Sequence, residues 1–258
     1  MMTPHPTDPT RDLKGKVAVI TGGTKGIGRA VARKLAARGC DIVVNYFRSR
    51  NTAGETVSEL QALGVRALAV RGNIGNKDFH PKLFDEVRQA FGHVDILVSN
   101  AALGLFANIM DVDERAWDLS LHTNAEAFLL CVQQAAPMMP QGGKIVALSS
   151  LGSTRYIPGY SAIGISKAAI ETLTRYLAHE LAPRHINVNT VSGGFIDTDA
   201  LKSFPNYDEM MREVIHRTPF GRVGTPDEIA DVVVFLCTDA ARWITGQIII
   251  VDGGYSLT

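Results

Sequence analysis

Short runs of consecutive apolar residues recur along the chain, and most are followed by a longer stretch in which apolar positions return every three or four residues. The runs are Lys16–Ile20, Asp41–Asn45, Val65–Val70, Val94–Val98, Lys144–Leu148, Ile186–Val191 and Gln247–Val251. Unbroken apolar runs this short mark strands buried on both faces, as in a parallel sheet. The intervening periodicity predicts helices ending near Ala37, over about 51–63 and 76–91, from about Glu114 to Met138, from Tyr160 to about Ala182, and over Pro226–Leu236. Alternation of this kind predicts an α/β fold, a Rossmann-type doubly wound parallel sheet of about seven strands with helices on both faces.

The long helix carries Asn124 near its middle, a residue that disfavours helix interiors. It either bonds a neighbouring carbonyl and holds a water near a site, or is a satisfied buried polar group. Residues 1 to 12 break the pattern with Pro4, Pro6 and Pro9 among polar residues, so a disordered tail is expected there and a single domain over 13–258. Between about 199 and 217 the alternation is interrupted by Phe204, Pro205, Met210 and Met211 among charges, which reads as a lid over an apolar substrate.

Composition narrows the function classes. Lys and Arg total 26 and Asp and Glu total 26, so the formal net charge is zero and gives no electrostatic footprint for nucleic acid. No apolar run approaches the roughly 18 residues of a membrane span, and the polar start holds no signal core, so a cytoplasmic protein is expected. Cys40, Cys131 and Cys237 are widely spaced, and the seven histidines show no ligand spacing; reduced, structural cysteines and no metal are expected.

Candidate chemistry concentrates in one stretch. The run Lys144–Leu148 ends in Ser149 and Ser150, and a loop then brings Tyr160 to the mouth of a helix that carries Lys167. At roughly 100° per residue, seven residues return to within about 20° of the starting direction, so the phenol and the amine can share a helix face. A four-residue pair is absent, because Ile163 stands four before Lys167 and Gly164 four after Tyr160. The offset bears on hydride chemistry. Reducing a ketone puts the oxyanion on the carbon that takes the hydride, whereas reducing a 2-enoyl thioester puts charge on the thioester oxygen, further along the conjugated system. A displaced tyrosine suits the second case.

The first apolar run leads directly into Thr21-Gly22-Gly23-Thr24-Lys25-Gly26-Ile27-Gly28, which opens a helix. Gly22 permits a tight turn, while Gly26 and Gly28 let backbone amides approach a pyrophosphate at the positive helix end. The second strand ends in Asn45-Tyr46-Phe47-Arg48-Ser49-Arg50, with no acid to hold a ribose 2′-hydroxyl. Arg48 and Ser49, with Lys25, instead offer charge and a hydroxyl to a 2′-phosphate, which points to NADPH. Asn73 and Ile74 after the third strand, and Asn100, Ala101 and Ala102 after the fourth, are candidate adenine and ribose contacts.

The Thr-Gly-x-x-x-Gly-x-Gly turn, Ser99-Asn100-Ala101-Ala102, Ser150, the Tyr160/Lys167 pair and Val251-Asp252-Gly253-Gly254 together resemble the short-chain dehydrogenase/reductases from Lys14 onward. Within them, the Tyr-x6-Lys interval is similar to that of enoyl-acyl-carrier-protein reductases, and Ser149–Ser153 with Val191-Ser192-Gly193-Gly194 to the NADPH-dependent type III enzyme of bacterial fatty-acid synthesis. The resemblance implies reduction of a trans-2-enoyl thioester on acyl carrier protein. Tyr160 would hold the enolate and Lys167 the nicotinamide ribose. Ser150 and Asn124 would complete the catalytic set, Gly194, Ile196 and Thr198 would flank the nicotinamide, and the assembly would be a homotetramer. Two departures stand out. Ketone-reducing members carry Tyr-x3-Lys and Pro-Gly after the sixth strand, where this chain has Tyr-x6-Lys and Gly193-Gly194; and better-known enoyl reductases place a second tyrosine where Ser150 stands. The alternatives are a carbonyl or 3-ketoacyl reductase or alcohol dehydrogenase using Tyr160 or Tyr156 as acid, and a non-catalytic NADP-binding regulator on the same fold.

Overall fold

A computed structural model describes residues 11–140, 142–204 and 207–258. Seven parallel strands form one sheet in the order β3-β2-β1-β4-β5-β6-β7. In chain order the elements are β1 Val17–Ile20, α1 Gly26–Ala37, β2 Asp41–Tyr46, α2 Arg50–Ala62, β3 Ala67–Arg71, α3 Phe79–Phe91, β4 Ile96–Ser99, α4 Glu114–Ser120 and α5 Ala127–Ala135. They continue as β5 Gly143–Ser150, α6 Ser161–Leu181, β6 Ile186–Gly193, α7 Asp199–Lys202, α8 Tyr207–Arg217, α9 Pro226–Leu236 and β7 Ile248–Val251. The expected doubly wound sheet is therefore present, and the strand order reverses direction between β1 and β4, which opens a crevice at their carboxyl ends.

The strand runs form sheet because both faces are covered. One apolar cluster packs Val19, Leu97, Ile145 and Val188 against α3, α5 and α6; the other packs Ile20, Val44, Val98 and Val191 against α1 and α9. Alternate residues of the same strand serve opposite clusters, so continuous apolar runs are required. Helix α9 matches its expected bounds because its start is written locally. Thr225 accepts from Glu228 N, Glu228 returns to Thr225 N, and Pro226 occupies the first turn.

Three expectations are corrected. The expected helix from Glu114 to Met138 is broken by a π-helical turn over Leu121–Glu126 and closes in a 3-10 turn over Ala136–Met138. The turn puts Asn124 inward, and the inserted residue rotates α5 without taking its apolar face off the core. Arg11 and Asp12, placed in the expected tail, are held to the fold: Asp12 takes a two-pronged hydrogen bond from Arg38 at 2.8 and 2.6 Å, and Arg11 donates to Leu63 O at 3.1 Å. The tail's prolines, and Pro205 of the expected lid, lie outside the described residues. The expected alignment of Tyr160 and Lys167 by helical rotation does not apply either. Tyr160 caps α6 with φ −96° and ψ 17°, so the two residues are not related by regular helical steps.

Candidate active site

The carboxyl end of β5 gathers the polar side chains. Ser150 Oγ lies 3.4 Å from Tyr160 Oη, and Lys167 Nζ donates to the Leu148 carbonyl at 2.8 Å. Tyr160 and Lys167 thus meet one strand end from two directions, the loop and the helix. Tyr160 is partly buried, and its ring stacks on Phe204 at 5.7 Å and 14°, with Phe106 6.1 Å away. The alternative acid, Tyr156, is 83% exposed on the preceding loop.

Burial sets the protonation states. It pushes the Tyr160 phenol above its ordinary range, with a smaller opposing pull from Ser150. The hydroxyl therefore keeps its proton at neutral pH and is a hydrogen-bond donor. Burial lowers Lys167 from the usual lysine range to about 8, and Glu171 acts the other way.

Asn124 is a satisfied buried group. Its Oδ1 accepts from Leu103 N at 2.9 Å and its Nδ2 donates to Ser166 Oγ at 2.8 Å, so it ties the loop after β4 to α6. Ser166 passes its own proton to Ile163 O at 2.6 Å. The π-helical turn supplies that reach.

A second set of residues lies where a dinucleotide would. Lys25 caps α1 without a side-chain cap, and no acid stands in the first turn, so the free amides of the helix start face outward. Gly28 is required by close approach: a Cβ there would meet Gly22 O at 2.4 Å and Asn100 Nδ2 at 2.6 Å. Asn100 itself binds the turn, donating to Thr21 O at 2.9 Å and Gly22 O at 3.0 Å, while Thr21 Oγ1 accepts from the amides of Asn100 and Ala101. Thr24 is buried, Gly26 is exposed at φ +51°, and Ile27 packs against the second cluster. Arg48 and Ser49 are exposed at the end of β2, with Arg48 5.6 Å from the Phe47 ring. The uncapped amides, the glycine cradle and the acid-free end of β2 fit a dinucleotide pyrophosphate and a charged ribose.

The remaining candidates divide. Asn73 is exposed and accepts from Gly75 N at 3.0 Å, whereas the Ile74 side chain belongs to the core, leaving only its backbone for a ligand. Ala102 is exposed beside partly buried Ala101. Gly194 abuts Asp252, Ile196 packs against the second cluster, and Thr198 caps α7 by accepting from Leu201 N. Lys25 Nζ also stands 3.4 Å from Asp199, so the start of the expected lid lies against the glycine turn.

Sequence reasoning named Ser149 without a role for it and missed Ser166, Glu171 and the approach of Phe106 to the phenol. Glu171 had a signal, an acid at i+4 from Lys167 on a helix face otherwise rich in apolar residues. Phe106 had none, because it reaches the site from an irregular loop.

The sequence profile described as enoyl-(acyl carrier protein) reductase matches residues 22–256. A 1-cyclohexenylcarbonyl-CoA reductase of Streptomyces collinus is 45% identical over 259 aligned positions, which span 100% of this chain and 92% of that relative. A 3-oxoacyl-[acyl-carrier-protein] reductase of Staphylococcus aureus is 37% identical over 241 positions, 93% of this chain and 97% of the relative. Among solved structures, a short chain dehydrogenase of Burkholderia cenocepacia in complex with NADP superimposes with a TM-score of 0.88 at 35% identity, covering 95% of this chain and 99% of that one.

Proposed function

The chain belongs to the short-chain dehydrogenase/reductase family, and from that premise we propose that it reduces the carbon–carbon double bond of a 2-enoyl thioester with NADPH. The observation that carries the reading is the entry of the phenol from the loop, one helical turn ahead of the position four residues before Lys167. That position holds Ile163, 6% exposed and packed at Gly104. A donor displaced in this way suits an oxyanion displaced from the carbon that receives hydride. The name of the Streptomyces relative supports the reading, since a 1-cyclohexenylcarbonyl thioester has its double bond conjugated with the carbonyl.

NADPH, when bound, supplies the hydride. The amides at the start of α1, with Gly22, Gly26 and Gly28, would hold its pyrophosphate, and Arg48 with Ser49 its 2′-phosphate. Lys167 has one of its three donors on Leu148 O and keeps two for ribose hydroxyls. The protonated Tyr160 hydroxyl donates to the thioester oxygen as charge grows there. Asn124 keeps the loop after β4 and the second turn of α6 in one arrangement, and Phe106 and Phe204 exclude water from the phenol.

A 3-ketoacyl reductase is the second reading, favoured by the Staphylococcus relative and by the 3.4 Å approach of Ser150 to Tyr160. NADPH oxidation measured side by side on a 2-enoyl and a 3-ketoacyl thioester, each on coenzyme A and on acyl carrier protein, separates the readings. Ready reduction of the ketone with the enoyl thioester untouched overturns the first. The proposal includes a homotetramer, supported by Trp243, Ile250 and Leu257, exposed by 96%, 53% and 86% along and near the edge strand β7. Sedimentation as a monomer overturns that part.

A further inference from the structure

Helix α6 turns a row of polar side chains inward. Ser166, Lys167, Glu171 and Thr174 are 0%, 5%, 6% and 0% exposed. Lys167 and Glu171 stand four residues apart and Glu171 and Thr174 three, so the last three lie along one stripe. Two of the four are explained by local bonding. Ser166 receives Asn124 Nδ2, and Thr174 bonds Ile170 O at 2.9 Å and Thr190 Oγ1 at 2.7 Å. Lys167 belongs to the site already described.

Glu171 has one such bond, from Ser149, but carries a charge that this bond alone does not offset. A carboxylate this deep is costly unless it is bonded and faces a cation. Its Oε1 accepts from Ser149 Oγ at 2.6 Å, and Arg175, one turn further on, donates to the Glu171 backbone carbonyl, not to the carboxylate. Ser149 precedes Ser150 on β5, and Lys167 bonds the carbonyl of Leu148 on the same strand end. The carboxylate and the ammonium are therefore fixed to adjacent positions of one strand and to adjacent turns of one helix.

We propose that Glu171 is a positioning residue: its carboxylate, fixed by Ser149 next to the strand carbonyl that holds Lys167, is the buried counter-charge of that ammonium at the cofactor site. The inference rests on the reading that Lys167 acts as a cation toward NADPH, and it is independent of which thioester is reduced.

The other groups around Lys167 do not supply this charge. From the loop before α6 comes the neutral Tyr160 phenol, while Arg155 turns away to Ser256 O. The π-helical turn presents neutral Asn124, and its His122 and Glu126 are exposed and 3.8 Å from each other. Asp118 of α4 is partly buried, and Glu114 and Arg115 there are exposed. Strand β5 adds Lys144, which bonds Asn187 at its far end, and β6 presents neutral Asn189 and Thr190. Beyond the end of α6, Arg184 donates to Ala136 O and His185 is exposed. Glu171, one turn from Lys167 and bonded beside it on β5, makes no direct ion pair with it among the described residues; its charge acts through space and opposes the burial that brings the ammonium down to about 8.

Together these two effects give the pH dependence its sign. A lysine is charged below its pKa, so Lys167-dependent binding is present at low pH and lost as pH rises through about 8. Removing the carboxylate leaves burial unopposed and moves that loss to lower pH.

The test is NADPH affinity, measured by fluorescence titration from neutral to alkaline pH without substrate, for the wild-type protein and Glu171→Gln, Glu171→Asp, Ser149→Ala and Lys167→Ala. The expected result is weakening in the wild type as pH passes about 8. In Glu171→Gln the weakening begins at lower pH than in the wild type, because burial then acts on the ammonium without an opposing charge. Glu171→Asp, which keeps the charge, restores most of the wild-type profile, and Lys167→Ala removes the pH dependence. A Glu171→Gln profile that coincides with the wild type overturns the proposal, because a purely structural acid would change affinity at every pH alike. Should that variant fail to fold, Ser149→Ala decides: a smaller shift to lower pH supports the proposal, and a coincident profile overturns it. Since no thioester is present, failure of the enoyl-reductase reading shows in the substrate assay alone.

Discussion

Replacing Tyr160 by phenylalanine removes one oxygen and leaves the ring. The ring is held by the stack on Phe204 at 5.7 Å, by Phe106 at 6.1 Å and by Gly152, where a Cβ would come within 2.5 Å of Tyr160 Cδ1. The lost hydroxyl has Ser150 Oγ at 3.4 Å, long for a hydroxyl pair, so its loss costs stability less than about 1 kcal/mol. NADPH binding, proposed above to rest on the glycine turn, Arg48 and Lys167, stays within about twofold, corresponding to roughly 0.4 kcal/mol. Catalysis behaves differently, because in the proposed mechanism the hydroxyl is the donor to the developing oxyanion. Removing one such donor lowers kcat by about 10²–10³, roughly 2.7–4 kcal/mol of transition-state stabilisation. The assay is steady-state NADPH oxidation with saturating cofactor and 2-enoyl thioester, alongside thermal unfolding and cofactor titration of the same preparation. A kcat within tenfold of wild type refutes the role given to Tyr160. A fall in kcat matched by an equal loss of NADPH affinity refutes the separation of donor from cofactor site.

Arg48→Ala lowers the preference for NADPH over NADH in kcat/KM by tenfold or more, since a charge-assisted contact contributes about 1.5–3 kcal/mol; an unchanged ratio removes Arg48 from the 2′-phosphate. Gly28→Ala abolishes measurable NADPH binding while the fold persists, because the added carbon, 2.4 Å from Gly22 O, forces the turn open; cofactor titration with circular dichroism checks both halves. Thr225→Ala breaks the capping box of α9 and costs about 1 kcal/mol, read as a Tm lower by roughly 2–4 °C with activity intact.

The features legible in the sequence were those encoded locally. The strands are runs of residues that must be apolar on both faces, and α9 announces its first turn through Thr225, Pro226 and Glu228. The break at Leu121–Glu126 was hidden because Phe128, Cys131, Val132 and Ala135 keep a helical apolar stripe after the insertion, and Asn124 alone signalled an irregularity. Glu171 was overlooked because a single acid in a helix is ordinarily solvated, and its burial depends on β5 arriving above it with Ser149. The ring cluster of Phe106, Tyr160 and Phe204 joins three separate segments, so no local pattern could announce it. Chemistry legible in residue type was found, and chemistry created by the meeting of distant segments was not.

The seven-residue interval between Tyr160 and Lys167 is itself a product of such a meeting. Helical rotation does not align the two, since Tyr160 lies at the cap. The loop over Leu151–Tyr160 is instead pressed onto the first turn of α6, where a Cβ at Gly164 would come within 2.4 Å of Gly152 O. Two residues without side chains let the backbones approach, and the phenol ring then lies across Gly152 with its hydroxyl at Ser150. Ile163, on the same turn, fills the space at Gly104, where a Cβ would meet its Cγ1 at 2.3 Å. A tyrosine four residues before Lys167 would have to displace that contact, whereas one at the cap enters over the glycine pair. The site therefore sets its phenol back from the amine by packing, and the same packing that fills the nearer position with Ile163 supports the farther one.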